Sequence, residues 1–520
     1  MTPPRDRTRL RRLAFAAALA AVFVCAAWMR FHGIAERPMH VDEAVQAFKV
    51  GEMLAGGTYR YDPSDFHGPT LYFFAFWLCR IFGVESFAAM TETLVRAVPA
   101  CVGALACVAL PLSFFGRKAG ALVAGLLLAF APVAVFFDAY FIQETLLVAF
   151  AWTAAGVWFF REKNLRNAAL AGALFGLAAA SKETWILMVA AFACGAAADA
   201  LVRRRFPPER VPAGGRFFAA RALVALASAG TVAALFYSSF GANPRGLADF
   251  FVAFKSYFFT AAGTESPHAK PFFYYAALLA ARAPLLVALA CASGVAFAAR
   301  AFFPTAKERR FQRRFSAEDF SAPAFCAAAS LALFALYSGI PYKTPWLALG
   351  VVPGLALFVG AVLKSRVLRT VYFASRARTL ACVAAAGTVV VAGGFLRAQP
   401  GFSLRYEHAP ASLAEIVPAV ASAKRGFAER GGEAGSFFAA LAGRETWPLP
   451  WLLRRERVGF WETLADVPAA APFVVAETEA WEAFDAARPE DAKKFRTVFC
   501  AESRPGVVLE AREKIVGADD

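Results

Sequence analysis

Apolar stretches of about 20 residues recur along most of this 520-residue chain, starting near Leu13. In a lipid bilayer every backbone N–H and C=O must be paired within the chain, and an apolar helix of this length both meets that requirement and spans the hydrocarbon. Hydrophobic residues make up 59% of the sequence, more than a soluble protein of this length contains. The pattern therefore predicts an all-α polytopic membrane protein.

Basic residues are concentrated in short connections between the apolar stretches. The chain has 55 Lys and Arg against 39 Asp and Glu, an excess that in a soluble protein favours nucleic acid as a partner. Here the placement instead follows the positive-inside rule, by which short basic loops stay in the cytoplasm. We therefore expect membrane lipids as neighbours and no nucleic-acid partner. The connections are 116–118, 161–166, 203–210, 303–320 and 364–378.

These five connections share one side of the membrane only if the short aromatic segment 69–83 does not cross it. We therefore predict that 69–83 is an outer juxtamembrane helix, that the N-terminus is cytoplasmic, and that about eleven transmembrane helices are present. The predicted spans are 13–31, 94–115, 119–137, 146–160, 168–181, 185–202, 217–240, 274–302, 322–338, 346–363 and 379–397.

The same topology places the loop 32–93 and all residues after 398 on the outer face of the inner (plasma) membrane. Helical stretches alternate with strand-like ones after 398, at 411–430, 470–476, 477–490 and 505–512, over a length sufficient for a separate core. We therefore predict a transmembrane domain over 1–397, which includes the outer loop 32–93, and a small C-terminal α/β periplasmic domain over 398–520.

Two adjacent carboxylates, Asp42 and Glu43, follow the first span and open the amphipathic segment 42–54. Ionisable groups at a membrane are costly to desolvate and often mark a functional site. The alternative is that they only interact with the helix dipole, which acidic residues in a first turn do favourably. The same loop also contains His67 and Tyr72 as possible polar support, which favours the functional interpretation. A satisfied interfacial histidine explains His67 equally well.

An Asp-Glu pair directly after the first span resembles the GT-C glycosyltransferases, which include protein O-mannosyltransferases and aminoarabinose transferases. The chain looks most like a bacterial and archaeal mannosyltransferase-like subfamily described as flippase-associated. The resemblance implies a GT-C-like membrane domain that transfers a sugar from a polyprenyl-phosphate donor to a glycan, lipid or protein acceptor on the outer face. It rests on His40–Leu54 (HVDEAVQAFKVGEML), 61–73 (YDPSDFHGPTLYF), 268–275 (HAKPFFYY), 342–347 (YKTPWL) and 447–454 (WPLPWLLR).

The resemblance implies a catalytic role for Asp42, which is expected to deprotonate or orient the acceptor with Glu43 beside it, because a hydroxyl needs a base to become a nucleophile. The departing phosphate needs cations to stabilise its charge. Arg96 in VRAVPA is similar to the family's arginine–proline pattern near the donor phosphate. The other candidate phosphate ligands are Lys343, Lys270 and His268. For Arg96 and Lys343 the alternative is snorkelling at the membrane surface.

Glu144 in YFIQET matches a second acidic position of the family. The serine–arginine that usually precedes it is replaced by Asp138-Ala139, so a basic residue is lost and an acid is gained. A monophosphate donor needs a metal less than a diphosphate donor does, and the outer loops contain no Asp-x-Asp motif. We therefore expect no obligatory metal or other cofactor.

Other charged and aromatic residues are interpreted as structural. Lys182 and Glu183 are interpreted as a loop end, while Trp447, Trp451 and Arg454 are expected to pack the tail domain against the membrane face.

Two alternatives belong to other functional classes. One is a transporter, or an accessory protein for the flipping of lipid-linked sugars, although the internal repeats typical of transporters are not found. The other is a non-catalytic envelope scaffold whose tail binds partners. Loss of function on changing Asp42 alone separates an enzyme from a scaffold.

The topology is tested by cysteine labelling at Ala88 in a background from which the other cysteines are removed. We expect Ala88→Cys to react with a membrane-impermeant reagent added from outside, because 69–83 does not cross. Labelling from the cytoplasm alone would overturn the topology.

Overall fold

The structure, a computed structural model, describes residues 4–64, 67–205, 215–262, 268–302, 317–364, 409–432, 436–443, 446–504 and 506–515. The chain divides into two compact units. The helical unit contains Met1–His32, Thr58–Leu71 and Ala97–Leu404, and the tail unit contains Gly33–Gly57, Tyr72–Arg96 and Arg405–Asp520. The loop 32–93 thus contributes to both units, whereas the predicted boundary at 397/398 lies outside the described residues.

Helices make up nearly all of the described chain up to residue 364. Short 3-10 helices lie at Phe87–Ala89 and Pro345–Gly350. The α-helices are α1 (Pro4–Phe31), α2 (Val41–Leu54), α3 (Thr70–Ile81), α4 (Glu92–Phe115), α5 (Ala119–Phe130), α6 (Pro132–Phe137), α7 (Glu144–Phe160), α8 (Leu165–Ala179), α9 (Trp185–Arg205), α10 (Gly215–Tyr237), α11 (Gly246–Ala262), α12 (Tyr274–Arg282), α13 (Pro284–Phe302), α14 (Ala317–Gly339) and α15 (Val352–Lys364).

Within the described residues, six helical segments are long and apolar enough to cross a bilayer, and the bent pair α12–α13 brings the number to as many as seven. The prediction of a polytopic helical membrane protein is therefore confirmed. Three further predicted spans, 119–137, 146–160 and 168–181, coincide with shorter apolar helices, and the span 379–397 lies outside the described residues. The six long segments are Thr8–Phe31, Glu92–Phe115, Trp185–Arg205, Gly215–Tyr237, Phe320–Gly339 and Pro345–Leu363.

The segment predicted as one span at 274–302 is two helices that meet at 106°. The break falls at Ala283, directly before Pro284. Proline has no N–H to continue the helical hydrogen bonds, and its ring disfavours the helical conformation of the preceding residue. The prediction of one continuous helix at 274–302 is wrong. The prediction relied on the apolar composition of the segment and gave too little weight to Pro284.

Helix α3, predicted as a juxtamembrane helix at 69–83, has 12 residues. At about 1.5 Å per residue it is roughly 18 Å long, which is less than the hydrocarbon thickness of about 30 Å. A straight helix of this length does not span a bilayer.

Two glycines allow α8 and α10 to approach closely in the helical unit. A Cβ placed on Gly172 would lie 2.1 Å from the carbonyl oxygen of Ala225, and one on Gly176 would lie 2.5 Å from that of Ala229. Small residues at such contacts let membrane helices approach to backbone distance.

The tail unit contains a five-stranded mixed sheet of order β2-β1-β3-β5-β4. Strand β1 is parallel to β2 and β3, while β5 is antiparallel to β3 and β4. The strands are β1 (Ala439–Ala442), β2 (Val458–Trp461), β3 (Phe473–Glu477), β4 (Phe495–Arg504) and β5 (Val507–Lys514). The helices are α16 (Ile416–Glu429), α17 (Leu449–Leu452), α18 (Thr478–Ala487) and α19 (Pro489–Ala492).

Alternate residues of the central strands pack against helices on opposite faces of this sheet. Leu441 shares a core with Ile416 and Val420 of α16, whereas Ala440 shares a core with Trp481 of α18. Burial on both faces explains why β1 is short, apolar and without alternation. The predicted α/β architecture of the tail is confirmed.

We expect Gly172→Ala to lower the stability of the protein by about 1–3 kcal/mol, because the added methyl group forces α8 and α10 apart. The matched control is Gly230→Ala on α10, where a Cβ has nothing within 4 Å. It should be neutral or slightly stabilising, since alanine favours a helix over glycine by about 1 kcal/mol. Thermal unfolding in detergent compares the two, and equal melting temperatures would contradict the close approach.

Candidate functional site

The acidic pair lies in the first turn of α2, which His40 caps. The Nδ1 atom of His40 accepts a hydrogen bond from the backbone N–H of Asp42 at 3.0 Å, and the Glu43 carboxylate accepts one from the backbone N–H of His40 at 3.1 Å. This reciprocal capping box pairs two N–H groups that a helix end otherwise leaves without partners. The local sequence therefore fixes where α2 begins and where both carboxylates lie.

Glu43 forms a fully buried ion pair with Arg96, and both side chains are 0% exposed. Nε and Nη2 of Arg96 donate to Oε1 and Oε2 of Glu43, each at 2.7 Å. The remaining guanidinium protons go to the carbonyl oxygens of Ile34, Arg37 and Pro38 at 2.8, 2.9 and 3.1 Å. Five contacts thus match the five N–H donors of the guanidinium. This geometry favours a positioning role for Arg96 over the predicted contact with the donor phosphate.

Asp42, in contrast, leaves its carboxylate partly open, with the side chain 45% exposed. Its Oδ2 atom lies 3.9 Å from Nδ1 of His40. The pair therefore divides into one carboxylate that is fixed inside the tail unit and one that a ligand can reach. Such a division suits a general base, which must meet a proton on a second molecule.

Residues from the C-terminal part of the chain hold the segment that carries this pair. Trp451 Nε1 donates to Glu92 Oε1 at 2.7 Å, and Arg454 Nε donates to the carbonyl of Met90 at 3.0 Å. The Arg454 guanidinium also lies 4.0 Å from the centre of the Trp451 ring.

Aromatic contacts continue this interface within the tail unit. Phe48 of α2 packs edge-to-face on Trp447, and Phe87 packs edge-to-face on Trp451. Trp447, Trp451 and Arg454, which are predicted to pack the tail domain against the membrane face, contact residues of the first outer loop and the start of α4.

A second polar group, here called the Glu144 cluster, lies in the helical unit and consists of Glu144, Lys182, Thr184 and Tyr337. Lys182 Nζ donates to Glu144 Oε2 at 2.7 Å, with both residues buried. Tyr337 interacts electrostatically with Glu144 and is hydrogen-bonded to the Thr184 side chain. Glu144 Oε1 is buried and forms no hydrogen bond within the described part of the chain.

The predicted polar supports His67 and Tyr72 lie in different surroundings. His67 Nδ1 is 2.9 Å from Glu183 Oε2, and the Tyr61 hydroxyl donates to Glu183 Oε1 at 2.7 Å. Tyr72 is buried in α3. The interpretation of Lys182 and Glu183 as a mere loop end is wrong, because both are buried and each pairs with a residue distant in the chain.

The acid that replaces the expected serine–arginine feature has a cationic partner of its own. Nε and Nη2 of Arg30 donate to Asp138 Oδ2 at 2.9 and 2.7 Å, and the Thr145 hydroxyl donates to Oδ1 at 2.9 Å. Asp138 is thereby neutralised within the helical unit, so the substitution adds no free negative charge.

The three remaining phosphate candidates are brought together and are here called the Lys343 group: His268, Lys270 and Lys343. A short antiparallel bridge joins their two segments, with Lys343 N donating to the His268 carbonyl and Lys270 N donating to that of Pro341. Lys343 Nζ donates to the carbonyls of Lys270 and Ile340. No carboxylate of the described residues forms an ion pair with Lys343, and burial lowers the pKa of its ammonium group.

Sequence reasoning interpreted Lys182 as a loop end and did not single out Thr184 or Tyr337. Lys182 was detectable, since a charged pair stands in a connection of a few residues between two apolar stretches, and such groups are functional by default. Thr184 and Tyr337 carried no signal of their own. Among the described residues, no three His, Cys, Asp or Glu side chains converge as metal ligands.

We expect Arg96→Met to destabilise the protein by about 3–5 kcal/mol, because it removes the bidentate partner of the buried Glu43 carboxylate and leaves it only the more distant Arg37 guanidinium, at 3.7 Å, and the backbone N–H of His40. The matched control is Lys49→Met, which removes a surface pair with Glu52 and should cost less than about 1 kcal/mol. Chemical unfolding of the purified protein measures both. A small effect of Arg96→Met would show that its N–H groups are available to a ligand.

No family model matches the chain, and no curated protein matches it. It is similar to the structure of ArnT from Cupriavidus metallidurans bound to undecaprenyl phosphate, with 15% identity and a TM-score of 0.59 over 97% of this chain and 98% of that one. The apo state of the same protein gives 16% identity and a TM-score of 0.60, covering 95% and 98%.

An archaeal protein shows the same likeness. The oligosaccharyltransferase AglB from Archaeoglobus fulgidus, in complex with an inhibitory peptide and a dolichol-phosphate, gives 13% identity and a TM-score of 0.54 over 92% of this chain and 71% of that one. At such low identity the likeness concerns the fold. The chain has a GT-C-like fold, that of a polytopic helical membrane protein with a small C-terminal α/β domain.

Proposed function

We propose that this protein is a glycosyltransferase that moves a sugar from a polyprenyl-phosphate donor to an acceptor on the outer face of the inner membrane. The fold supports the proposal, because the likeness extends over nearly the whole length of ArnT bound to undecaprenyl phosphate and most of AglB in complex with a dolichol-phosphate. The acceptor is a glycan, a lipid or a protein.

The observation that carries the proposal is the contrast between Asp42 and Glu43. The Glu43 carboxylate accepts hydrogen bonds from Arg96 and from the backbone N–H of His40 at the helix cap. These contacts fix the backbone that carries Asp42. Asp42 itself is 45% exposed. Proton transfer from a bound acceptor requires a base whose backbone is held in place and whose carboxylate the acceptor can reach.

In the proposed reaction, an acceptor hydroxyl oxygen attacks the anomeric carbon of the donor sugar while Asp42 takes the hydroxyl proton. The bond between the anomeric carbon and the phosphate oxygen breaks, and its electron pair stays on that oxygen. The products are the glycosylated acceptor, inverted at the anomeric carbon, and polyprenyl phosphate, while Asp42 carries the proton. Glu43 orients Asp42 and takes no proton.

The Lys343 group is proposed to contact the donor phosphate. Lys343 lacks a carboxylate partner among the described residues, and it lies beside His268 and Lys270. Cations without an internal counter-ion are suited to stabilise the charge that develops on a departing phosphate. Arg96 is proposed to act through Glu43, and Glu144 remains the second acidic site of the proposal.

The outward orientation belongs to the same proposal. It is supported by the five basic connections, which share one side if α3 does not cross, and by the 12-residue length of α3. The tail and the segment with Asp42 then face the periplasm.

Asp42→Asn tests the function because it preserves size and removes the proton acceptor. We expect transfer to fall by roughly 10²–10⁴-fold, measured with purified protein, a panel of polyprenyl-phosphate sugars and a membrane extract as the source of acceptors. The matched control is Glu52→Gln on the same helix, whose side chain is 49% exposed and which should leave the rate unchanged.

Turnover of Asp42→Asn within a few-fold of the parent would refute the catalytic assignment. Asp42 and Glu43 would then be interpreted as interacting only with the helix dipole, and Asp42→Asn would change the stability by about 0.3–1 kcal/mol. Binding of the lipid-linked sugar without transfer by the parent would instead favour the flipping accessory. Absence of lipid binding would favour the envelope scaffold.

A further inference from the structure

The last turn of α7 contacts a buried arginine that belongs to α10. The guanidinium of Arg221 lies 4.5 Å from the centre of the Trp158 ring, and its Nη2 donates to the Trp158 carbonyl at 3.4 Å. Arg221 is only 5% exposed, and its Nε forms no hydrogen bond within the described residues. Buried donors without a partner are costly and uncommon in folded proteins. The unpaired N–H therefore indicates a place where an acceptor from outside the protein completes the contacts.

Lys163 brings a second cation to the same carbonyl group. Its Nζ donates to the carbonyls of Trp158 and Phe159, each at 2.7 Å. Because Arg221 binds the first of these oxygens at 3.4 Å, the two cations lie within about 6 Å of one another. Capping of α7 explains one cation at this position, since the last carbonyls of a helix attract positive charge. It does not explain two, because like charges at this distance repel. Trp158, Lys163 and Arg221 are here called the Arg221 site.

The charge of the Arg221 site is not balanced within the described chain. Asp199 interacts electrostatically with Lys163, but its carboxylate is bound by Arg203 at 2.8 Å. Glu162 is exposed in the same connection and forms no ion pair with Lys163 or Arg221 among the described residues. Desolvation and the cations Arg221 and Arg203 lower the pKa of the Lys163 ammonium group to about 8. The missing partner of the site is therefore an anion.

Further basic residues lie at the same end of the helical unit. A Cβ placed on Gly116 would lie 2.9 Å from Nη1 of Arg161, so the connections 116–118 and 161–166 are neighbours. Exposed cations act on anions over roughly 10 Å in physiological salt, which suits a surface that faces many anionic headgroups. The exposed basic residues of these connections that form no ion pair within the described chain are Arg117, Lys118, Arg161 and Arg166.

Apolar side chains of α10 continue outward from the Arg221 site. Leu223 and Leu226 are 69% and 72% exposed, and the 56% exposed Phe218 packs edge-to-face on Trp158. In a bilayer, side chains so exposed on a membrane helix face the acyl chains. A free phosphate would use only the cationic part of this surface, whereas a phospholipid would use both parts. The combination favours a lipid as the source of the anion.

We propose that the Arg221 site binds the phosphate group of an anionic phospholipid whose acyl chains lie along α10. The phosphate oxygens accept hydrogen bonds from Nε of Arg221 and from the third N–H of Lys163, which its two carbonyl contacts leave over. Trp158 holds the guanidinium at the membrane surface through its ring. The site lies among the connections predicted to face the cytoplasm, and it does not depend on the proposed transfer reaction.

Arg221→Gln and Lys163→Gln test this without a transfer assay. Purified protein in detergent is titrated with phosphatidylglycerol and, separately, with the zwitterionic phosphatidylcholine, and native mass spectrometry measures the bound lipid. We expect the parent to prefer phosphatidylglycerol. Each variant should lose about 5- to 10-fold of that preference, because each removes one cation beside the phosphate. Binding of phosphatidylcholine should stay as in the parent.

The matched control is Arg245→Gln, which removes one cation beyond the opposite end of α10. The Arg245 side chain is 86% exposed and lies 3.7 Å from Asp249, so it is not part of the Arg221 site. Arg245→Gln should keep the full preference for phosphatidylglycerol. Lys163 belongs to an exposed connection, so Lys163→Gln decides the question if Arg221→Gln does not fold.

Each other outcome overturns the inference. A parent that binds both lipids equally has no site for an anionic headgroup. Variants that keep the full preference, or an equal loss in Arg245→Gln, would assign the preference to the overall positive charge of the protein. Inorganic phosphate that displaces phosphatidylglycerol at similar concentration would show a site for free phosphate in place of a lipid. None of these results bears on the proposed transfer reaction.

Discussion

The buried pair between Glu43 and Arg96 is the interaction on which the candidate site depends. It joins the first turn of α2 to the first turns of α4, and the same guanidinium binds three carbonyl groups of the turn at 34–38. A buried ion pair contributes little net stability once desolvation is counted. Its contribution here is geometric, because it allows one arrangement of the chain around Asp42 and excludes others. The contacts of Trp451 and Arg454 with Glu92 and Met90 extend that arrangement to the C-terminal domain.

The described structure uses its charges in three distinct ways. Arg30 with Asp138 and Arg96 with Glu43 are closed pairs whose hydrogen bonds are directed inward. In the Glu144 cluster the charge of Glu144 is balanced by Lys182, while Glu144 Oε1 forms no hydrogen bond within the described residues. Lys343 has no carboxylate partner among the described residues, and its ammonium group donates to backbone carbonyls. The charged groups of the described residues therefore do not form one class, and the proposals assign them different roles.

Apolar length and basic connections were sufficient to predict most of the helices, since a span of this type is a local property of the sequence. They failed at Ala283. Pro284 breaks the helix there, although the apolar composition of the segment predicts a continuous one. The tail strands β1 and β2 were not predicted, because four residues are too few to show a clear periodicity. The burial of β1 comes from neighbouring strands and from helices on both faces of the sheet. For the site, Asp42 and Glu43 were recognisable as a pair, but the partner of Glu43 lies 53 residues away. Lys182 and Tyr337 contact residues that are distant in the chain, and the local sequence does not reveal such contacts.

The tail unit is assembled from pieces of chain made far apart in time. Glu92 and its partner Trp451 are separated by 359 residues, and a ribosome adding about 5–20 residues per second needs roughly 20–70 s to cover that distance. During this interval Phe48 and Phe87 can pack on one another, but their partners Trp447 and Trp451 have not yet been made. The segment that carries Asp42 therefore reaches its final form among the last events of biogenesis. A chain that ends before Trp447 therefore lacks the aromatic partners of Phe48 and Phe87 and the hydrogen-bond donor to Glu92.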